Sequence, residues 1–161
     1  MTNNSFNIWR NAIFAVKNPT NYTQAQKFSS LLKMAEGSIS VDVAVALFGL
    51  LTDYEDHGLK QSVIRMLSSF PVYEYYKALM RDLPRMTKEC QHKDWPFAVS
   101  DYVGRDLTIA DMQDIVLAYR ESSELQQEAF LNIIRNQEFF HEHDWPAKFL
   151  QDLKSGEKHG N

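Results

Sequence analysis

The chain has 161 residues, which is enough for one domain with a proper core and too short to favour two independent domains. Its 17 basic and 21 acidic side chains give a formal charge of −4, which argues against a nucleic-acid-binding surface as the working face. With 44% hydrophobic and 24% charged residues, the composition is typical of an ordinary globular protein. We expect a single helical domain over residues 1–153 and a flexible tail over residues 154–161.

The sequence shows no targeting or membrane signal. The first residues, "MTNNSFNIWR", lack the cationic region and apolar core of a signal peptide. The longest apolar run, "VAVALFGLL" at 43–51, is less than half the length of a membrane span. The single cysteine, Cys90, excludes an intramolecular disulfide and fits a reducing compartment. We therefore expect a cytoplasmic protein that does not contact a membrane.

Apolar residues recur at a spacing of three and four from end to end, which predicts an all-helical protein. Thr23 followed by Gln26 is a capping-box pattern, and the apolar stripe after it stops at Gly37. Ser40 is expected to cap the next helix, although the alternation in "VDVAVAL" is also compatible with a strand. The apolar stripe of the helix that starts at Thr23 contains Phe28, Leu31, Leu32 and Ala35.

The second half of the chain continues in the same way. A third stripe, from Leu59 to Phe70, ends at Pro71, and the next run extends to Pro84. Two capping patterns then mark further helix starts. Thr108 with Asp111 starts a helix whose apolar residues include Ile109 and Met112. Ser123 with Gln126 starts another, whose apolar residues include Leu125 and Phe130. Eight or nine short helices are typical of stacked antiparallel helix pairs, as in a HEAT-like α-solenoid, and also of an irregular helical bundle.

The tripeptide Asp-Trp-Pro occurs twice, beginning at Asp94 and at Asp144, and the spacing of 50 residues is a weak indication of a HEAT-like repeat. Aspartate is a favoured N-cap, and proline is tolerated in the first helical turn. We interpret both copies as helix starts. His141 and His143 precede the second copy, but residues two apart point to nearly opposite sides of a helix, and no H-E-x-x-H or C-x-x-C pattern is present. We predict no metal site and no cofactor.

No pattern in the sequence indicates catalysis. Cys90 and His92 are two residues apart without a third member, so Cys90 is interpreted as a small buried hydrophobe. Nucleophile elbows and phosphate-binding loops are missing from the sequence. The helical spacing of Tyr73 and Tyr76 favours core packing over an exposed aromatic patch. We predict that the protein is not an enzyme.

The segment "LLTDYEDHG" at 50–58 concentrates acidic side chains between two strongly apolar stretches. It lacks the EF-hand pattern, so it is either a solvated turn or an acidic surface for a basic partner. Under the second interpretation the candidate partner-binding residues are Asp53, Glu55 and Asp56, together with Asp101, Asp106, Asp111 and Asp114.

The order of features over residues 40 to 140 is similar to that of the immunity protein 30 family of bacterial polymorphic-toxin systems. The resemblance rests on "VAVALFGLL", "TDYED", "LKQSVIRMLSSF", a tyrosine-bearing stretch closed by "LPRM", and "DWPFAVSDYVGR". By position, Asp53, Glu55, Asp56, Trp95 and Arg105 match the family's recurring residues. The resemblance implies a small cytosolic helical protein that binds and neutralises one cognate toxin.

The sequence therefore leads to one main functional expectation, inhibition of a basic toxin C-terminal domain by occlusion, with no nucleic-acid partner. An alternative from another class is a HEAT-like adaptor that holds other cellular proteins together. A metal-dependent enzyme ranks last.

Overall fold

The structure is a computed structural model that describes residues 2–53, 58–90, 95–100, 107–136 and 144–157. The described residues form helices joined by short connections, with no strand among them, so the prediction of an all-α protein is confirmed. None of these helices combines the length and the apolar character that a membrane span needs. In chain order the helices are α1 Asn3–Phe14, α2 Tyr22–Met34, α3 Val41–Phe48, α4 Leu59–Leu67, α5 Val72–Glu89, α6 Trp95–Ser100, α7 Ile109–Arg120, α8 Glu124–Ile134 and α9 Trp145–Glu157.

Helix α5 is the centre of the molecule. It packs against α3 before it in the chain and against α6, α7 and α8 after it. Its inward face is fully buried at Tyr75, Tyr76, Leu79, Leu83 and Met86. In a solenoid each repeat contacts only its neighbours, whereas here one helix contacts partners from both halves of the chain. Of the two predicted architectures, the contacts correspond to the irregular helical bundle.

The predicted start of α2 at Thr23 is wrong, because Asn21 is the N-cap. The Asn21 Oδ1 accepts a hydrogen bond from the Gln24 backbone N–H at 3.0 Å. The Gln24 Oε1 in turn accepts from the Thr20 backbone N–H at 2.8 Å. Both Asn21 and Thr23 are followed by glutamine three residues later, and the earlier start adds two residues to the helix.

Three other predicted starts are confirmed. The Ser40 Oγ accepts from the Val43 N–H at 3.3 Å, and residues 41–48 are a helix rather than a strand. Capping boxes form at Thr108 with Asp111 and at Ser123 with Gln126. Two apolar residues assigned to the stripes of α7 and α8 point away from the core: Ile109 is 82% exposed and Leu125 is 66% exposed. Both lie in the first turn of their helix, off the face that packs inward.

Helix α5 runs through Pro84 and continues to Glu89, although the pattern predicted that the run would end at the proline. Proline has no N–H, so the Met80 carbonyl loses its helical donor, which is normally destabilising inside a helix. Leu83 and Met86 on either side of the proline are fully buried. Tertiary packing therefore outweighs the local preference.

The tryptophan of each Asp-Trp-Pro tripeptide begins a helix, α6 at Trp95 and α9 at Trp145. Their surroundings differ. Trp145 is 7% exposed, with its ring centroid 6.3 Å from that of Tyr76, whereas Trp95 is half-buried and α6 has only six residues. Asp94 lies outside the described residues. Helix α9 reaches Glu157, so residues 154–157 of the predicted tail are helical.

Candidate protein-binding site

Three of the seven acidic residues predicted to bind a partner lie in the described part of the chain. Asp53 is half-buried, two residues after the buried Leu51, and Asp111 and Asp114 are half-buried on α7. The other four, Glu55, Asp56, Asp101 and Asp106, lie outside the described residues. We call residues 50–58 the acidic loop; it joins α3 to α4.

The first two residues of the acidic loop belong to the core. Leu50 and Leu51 are fully buried, and their backbone N–H groups donate to the carbonyls of Leu47 and Phe48 at 3.0 and 2.9 Å. These tight turns close the C-terminal end of α3. The carbonyls of Leu51 and Thr52 accept hydrogen bonds from side chains elsewhere in the chain, and the Phe48 carbonyl accepts one in addition to that from Leu51.

Arg85 on α5 supplies two of these hydrogen bonds. Its Nη2 donates to the Phe48 carbonyl at 3.1 Å and to the Leu51 carbonyl at 3.4 Å. Asp82 holds the guanidinium through two contacts, Nη2 to Oδ2 at 2.6 Å and Nε to Oδ1 at 2.9 Å. Glu89 accepts from Nη1 at 3.2 Å. The planar guanidinium is suited to this role because it donates in several fixed directions at once.

The charge state of Arg85 follows from this environment. Burial by itself lowers the pKa of the guanidinium, but the hydrogen bond and negative charge of Asp82, together with the hydrogen bond to Glu89, outweigh burial and raise the pKa above its ordinary value. Arg85 is thus a permanent cation at the end of α3. A cation at this position also interacts favourably with the helix dipole.

Two further side chains donate to the same stretch of backbone. The Cys90 thiol donates to the Leu51 carbonyl at 3.3 Å, and the Trp95 Nε1 donates to the Thr52 carbonyl at 3.1 Å. Burial raises the pKa of the Cys90 thiol, which keeps it protonated near neutral pH and able to donate. Cys90 is 3% exposed, in agreement with its interpretation as a buried small side chain, and His92 lies outside the described residues. Together, Arg85, Cys90 and Trp95 fix the point where the acidic loop leaves the core.

The far end of the acidic loop is tied to another part of the chain. Gly58 has a positive φ of 98°, a conformation that favours glycine, and it directly precedes α4. Lys60 in the first turn of α4 is 2% exposed, and its Nζ donates to the Lys17 carbonyl at 2.8 Å. The Thr52 hydroxyl donates to Asn18 Oδ1 at 3.1 Å, so Thr52 in the loop and Lys60 just after it both contact the segment between α1 and α2.

The acidic residues of α7 do not form its outward face. Asp111 is occupied by the capping box, where its Oδ2 accepts from the Thr108 N–H at 2.8 Å and from the Thr108 hydroxyl at 2.7 Å. The most exposed side chains of α7 include Ile109, Gln113 and Leu117, the last at 48%. Asp111 therefore has a structural role in addition to any contact with a partner.

A polar cluster at the junction of α5 and α7 was not found by sequence reasoning. The Tyr73 hydroxyl donates to Glu121 Oε2 at 2.6 Å, and the Lys77 Nζ lies 3.1 Å from the same oxygen. The hydrogen bond from Tyr73 is the largest cause that lowers the pKa of Glu121, and the hydrogen bond from Lys77 is the next. The hydrogen bond to Glu121 raises the pKa of Tyr73. Tyr76 is buried in the core, whereas Tyr73 is half-buried and makes this contact at the surface.

Sequence reasoning also missed Arg85 and its two acidic partners. The spacing of Asp82, Arg85 and Glu89 by three and four residues places them on one helix face, which is a readable signal for an ion-pair cluster. The contact with the α3 carbonyls spans 34 to 37 residues of sequence and has no such signal.

Within the described ranges, no group of three or more histidine, cysteine, aspartate or glutamate side chains is arranged to hold a metal ion. His141 and His143 lie outside those ranges. The chain was also compared with protein-family models, curated proteins and solved structures, and none of them matches. The fold defines the chain as an all-α helical bundle.

Proposed function

We propose that this protein is a cytoplasmic immunity protein that binds the C-terminal domain of a cognate bacterial toxin and neutralises it by occlusion. The observation that carries the proposal is the fixed base of the acidic loop. Donors from Arg85, Cys90 and Trp95 hold the carbonyls of residues 48, 51 and 52. Because binding costs less when a contacting residue is already positioned, Asp53 beside this base is suited to recognition.

The negative charge of the protein and of its acidic loop indicates a basic partner. The protein carries a formal charge of −4, and Asp53, Glu55 and Asp56 are concentrated in the acidic loop. A basic toxin surface would be attracted over long range, which speeds encounter, while acidic surfaces would be repelled. The partner in this proposal is thus a basic toxin domain rather than a nucleic acid or a membrane.

The experiment is co-expression of the chain with the toxin domain that we expect to be encoded immediately upstream. The wild-type chain is expected to restore growth and to co-purify with the toxin domain. Asp53→Lys should weaken binding, and the loss should shrink at high salt because screening reduces charge interactions. Glu128→Lys, which makes the same charge change at an exposed position on α8, is the matched control and should rescue normally.

Failure of the wild-type chain to restore growth or to bind the toxin domain would remove the immunity proposal. A location in a housekeeping operon, with binding to the proteins encoded there, would favour the adaptor instead. Equal effects of Asp53→Lys and Glu128→Lys would show that net charge matters and that the acidic loop does not.

A further inference from the structure

A polar groove of about 470 Å³ lies between α2 and α4, and all the residues that line it belong to the described ranges. Ser29 and Lys33 line it from α2 at a spacing of four residues, and Ser62 and Arg65 line it from α4 at a spacing of three. Because residues three or four apart share one helix face, each helix presents a hydroxyl group and a cation to the same space.

The charged side chains of this groove are not paired within the described part of the chain. Lys33, Arg65 and Glu36 all line the groove and are exposed, and none of them forms an ion pair with a described residue. On α5, by contrast, Arg81 and Arg85 are each paired with a carboxylate. Two cations against one carboxylate leave a local surplus of positive charge in a protein whose formal charge is −4. An anion that enters this groove therefore does not have to displace a carboxylate from either cation.

Hydrogen-bond donors stand beside the two cations. The hydroxyls of Ser29 and Ser62 make no hydrogen bond with the residues that the structure describes, whereas the Ser69 hydroxyl donates to the Met66 carbonyl at 2.7 Å. The space over Gly37, which also lines the groove, is open, since a Cβ atom there would meet no other atom within 4 Å. An ammonium, a guanidinium and two hydroxyls can all donate, and the oxygens of an ionised phosphate accept. The volume also lies within the range of about 300 to 1,000 Å³ that is usual for small-ligand sites.

We propose that the groove between α2 and α4 binds a phosphate group carried by a small molecule. This inference goes beyond the proposed function and does not depend on it, because no residue of the acidic loop lines the groove. A phosphate monoester carries a charge of about −1.5 to −2 near pH 7, which Lys33 and Arg65 together neutralise. The Arg65 guanidinium can donate to two phosphate oxygens at once, and Lys33 adds a compact charge. Glu36 repels further phosphate groups, which favours a ligand with a single phosphate over a polyanion such as a nucleic acid.

The test is isothermal titration calorimetry of the purified chain with glycerol 3-phosphate, with inorganic phosphate and with glycerol. The wild type is expected to bind both phosphates and not glycerol. Lys33→Gln and Arg65→Gln should each weaken phosphate binding about 10-fold, because each removes a charge-assisted hydrogen bond. Glu36→Gln should strengthen binding of inorganic phosphate about 3-fold, because it removes a repulsion across the groove. Arg120→Gln is the matched control, since it removes the same charge from an exposed position in the last turn of α7, and it should bind like the wild type.

Tighter binding of glycerol 3-phosphate than of inorganic phosphate would assign the site to a phosphate monoester, and equal affinities would assign it to free phosphate. Lys33 and Arg65 each lie in the last turn of their helix, where a cation also interacts favourably with the helix dipole. If that is their only role, the two glutamine variants melt at lower temperature but the wild type binds neither phosphate, and the inference is overturned. Equal weakening by Arg120→Gln would also overturn it, because net charge alone would then explain the binding. If Arg65→Gln does not fold, Lys33→Gln decides, and a folded Lys33→Gln protein with wild-type affinity would contradict the site.

Discussion

The Arg85 side chain combines two roles at the scale of single residues. On one side it is paired with Asp82, which is only 7% exposed, and on the other it donates to the carbonyls at the end of α3. Buried ion pairs add little to stability when compared with apolar packing, but removal of one member leaves the other charge buried and uncompensated. Arg85 is therefore important for the structure that holds the acidic loop.

Arg85→Met should lower the free energy of unfolding by about 3 kcal/mol, because it leaves the buried Asp82 carboxylate without its ion-pair partner and removes one hydrogen bond from each of the Phe48 and Leu51 carbonyls. The neighbouring Arg81 is the matched control. Its ion pair with Asp42 is exposed, so Arg81→Met should cost less than about 1 kcal/mol. Urea denaturation of the two variants measures the difference, and similar losses would contradict the importance given to the Arg85 contacts.

The hydrogen bond between Tyr73 and Glu121 predicts that the stability of the protein depends on pH. The pKa of Glu121 is lowered from 4.5, so its contribution to stability is present above pH 4.5 and is lost as the pH falls through the folded-state value. The pKa of Tyr73 is raised from 10.0, so its contribution is present below pH 10 and is lost as the pH rises through the folded-state value. The stability difference between wild type and Tyr73→Phe should be largest between these limits and should shrink as the pH falls below 4.5.

Denaturant unfolding of wild type and Tyr73→Phe across that pH range measures this difference. Tyr22→Phe is the control, since Tyr22 is 76% exposed and contacts the neutral Gln26 side chain. A Tyr73→Phe difference that stays constant from pH 7 to pH 3 would contradict the assigned hydrogen bond.

At the scale of elements, α2 and α5 show two different reasons why a local sequence pattern misplaces a helix boundary. Two capping registers are compatible with the start of α2, because Asn21 and Thr23 are each followed by glutamine three residues later. In α5 the proline at 84 is a local signal to stop, and the buried residues on both sides override it. Local patterns located these helices and missed one boundary of each.

Asn21→Ala should lower the free energy of unfolding by about 1 kcal/mol, because it removes the acceptor for the Gln24 N–H. Thr23→Ala is the paired control and should change the free energy of unfolding by less than about 0.5 kcal/mol, since Thr23 is an exposed residue within the helix. Thermal or urea denaturation separates the two. A larger loss for Thr23→Ala would instead support the start that the sequence pattern favoured.

At the scale of the whole molecule, the position of α5 decides how the described helices depend on one another. Helices α3, α6, α7 and α8 all pack on α5, so none of them keeps its buried face if α5 unfolds. A stack of repeats behaves differently, because each unit is stabilised by its neighbours alone and distant units can unfold separately. The bundle should therefore unfold as one cooperative unit.

The three tryptophans test this prediction because they lie in different regions. Trp9 Nε1 donates to the Leu31 carbonyl at 2.7 Å, Trp95 contacts the acidic loop, and Trp145 packs on Tyr76. In variants that retain one tryptophan, the urea midpoint from fluorescence should equal the midpoint from far-UV circular dichroism of the same variant. A midpoint for Trp9 well below that of the whole chain would show that the N-terminal helices unfold separately.

The sequence by itself determined the helical class, the start of α3 at Ser40 and the capping boxes of α7 and α8. Those features depend on spacing and on side chains within one turn of each other, which a linear sequence displays directly. It also singled out Asp53 in the acidic loop as a candidate contact, which stays a prediction. Only the tertiary structure decided that α5 is central, that Pro84 lies inside it and that Arg85 holds the base of the acidic loop. Those contacts join residues more than 30 positions apart, and such pairings are set by packing of the whole core and carry no local signal.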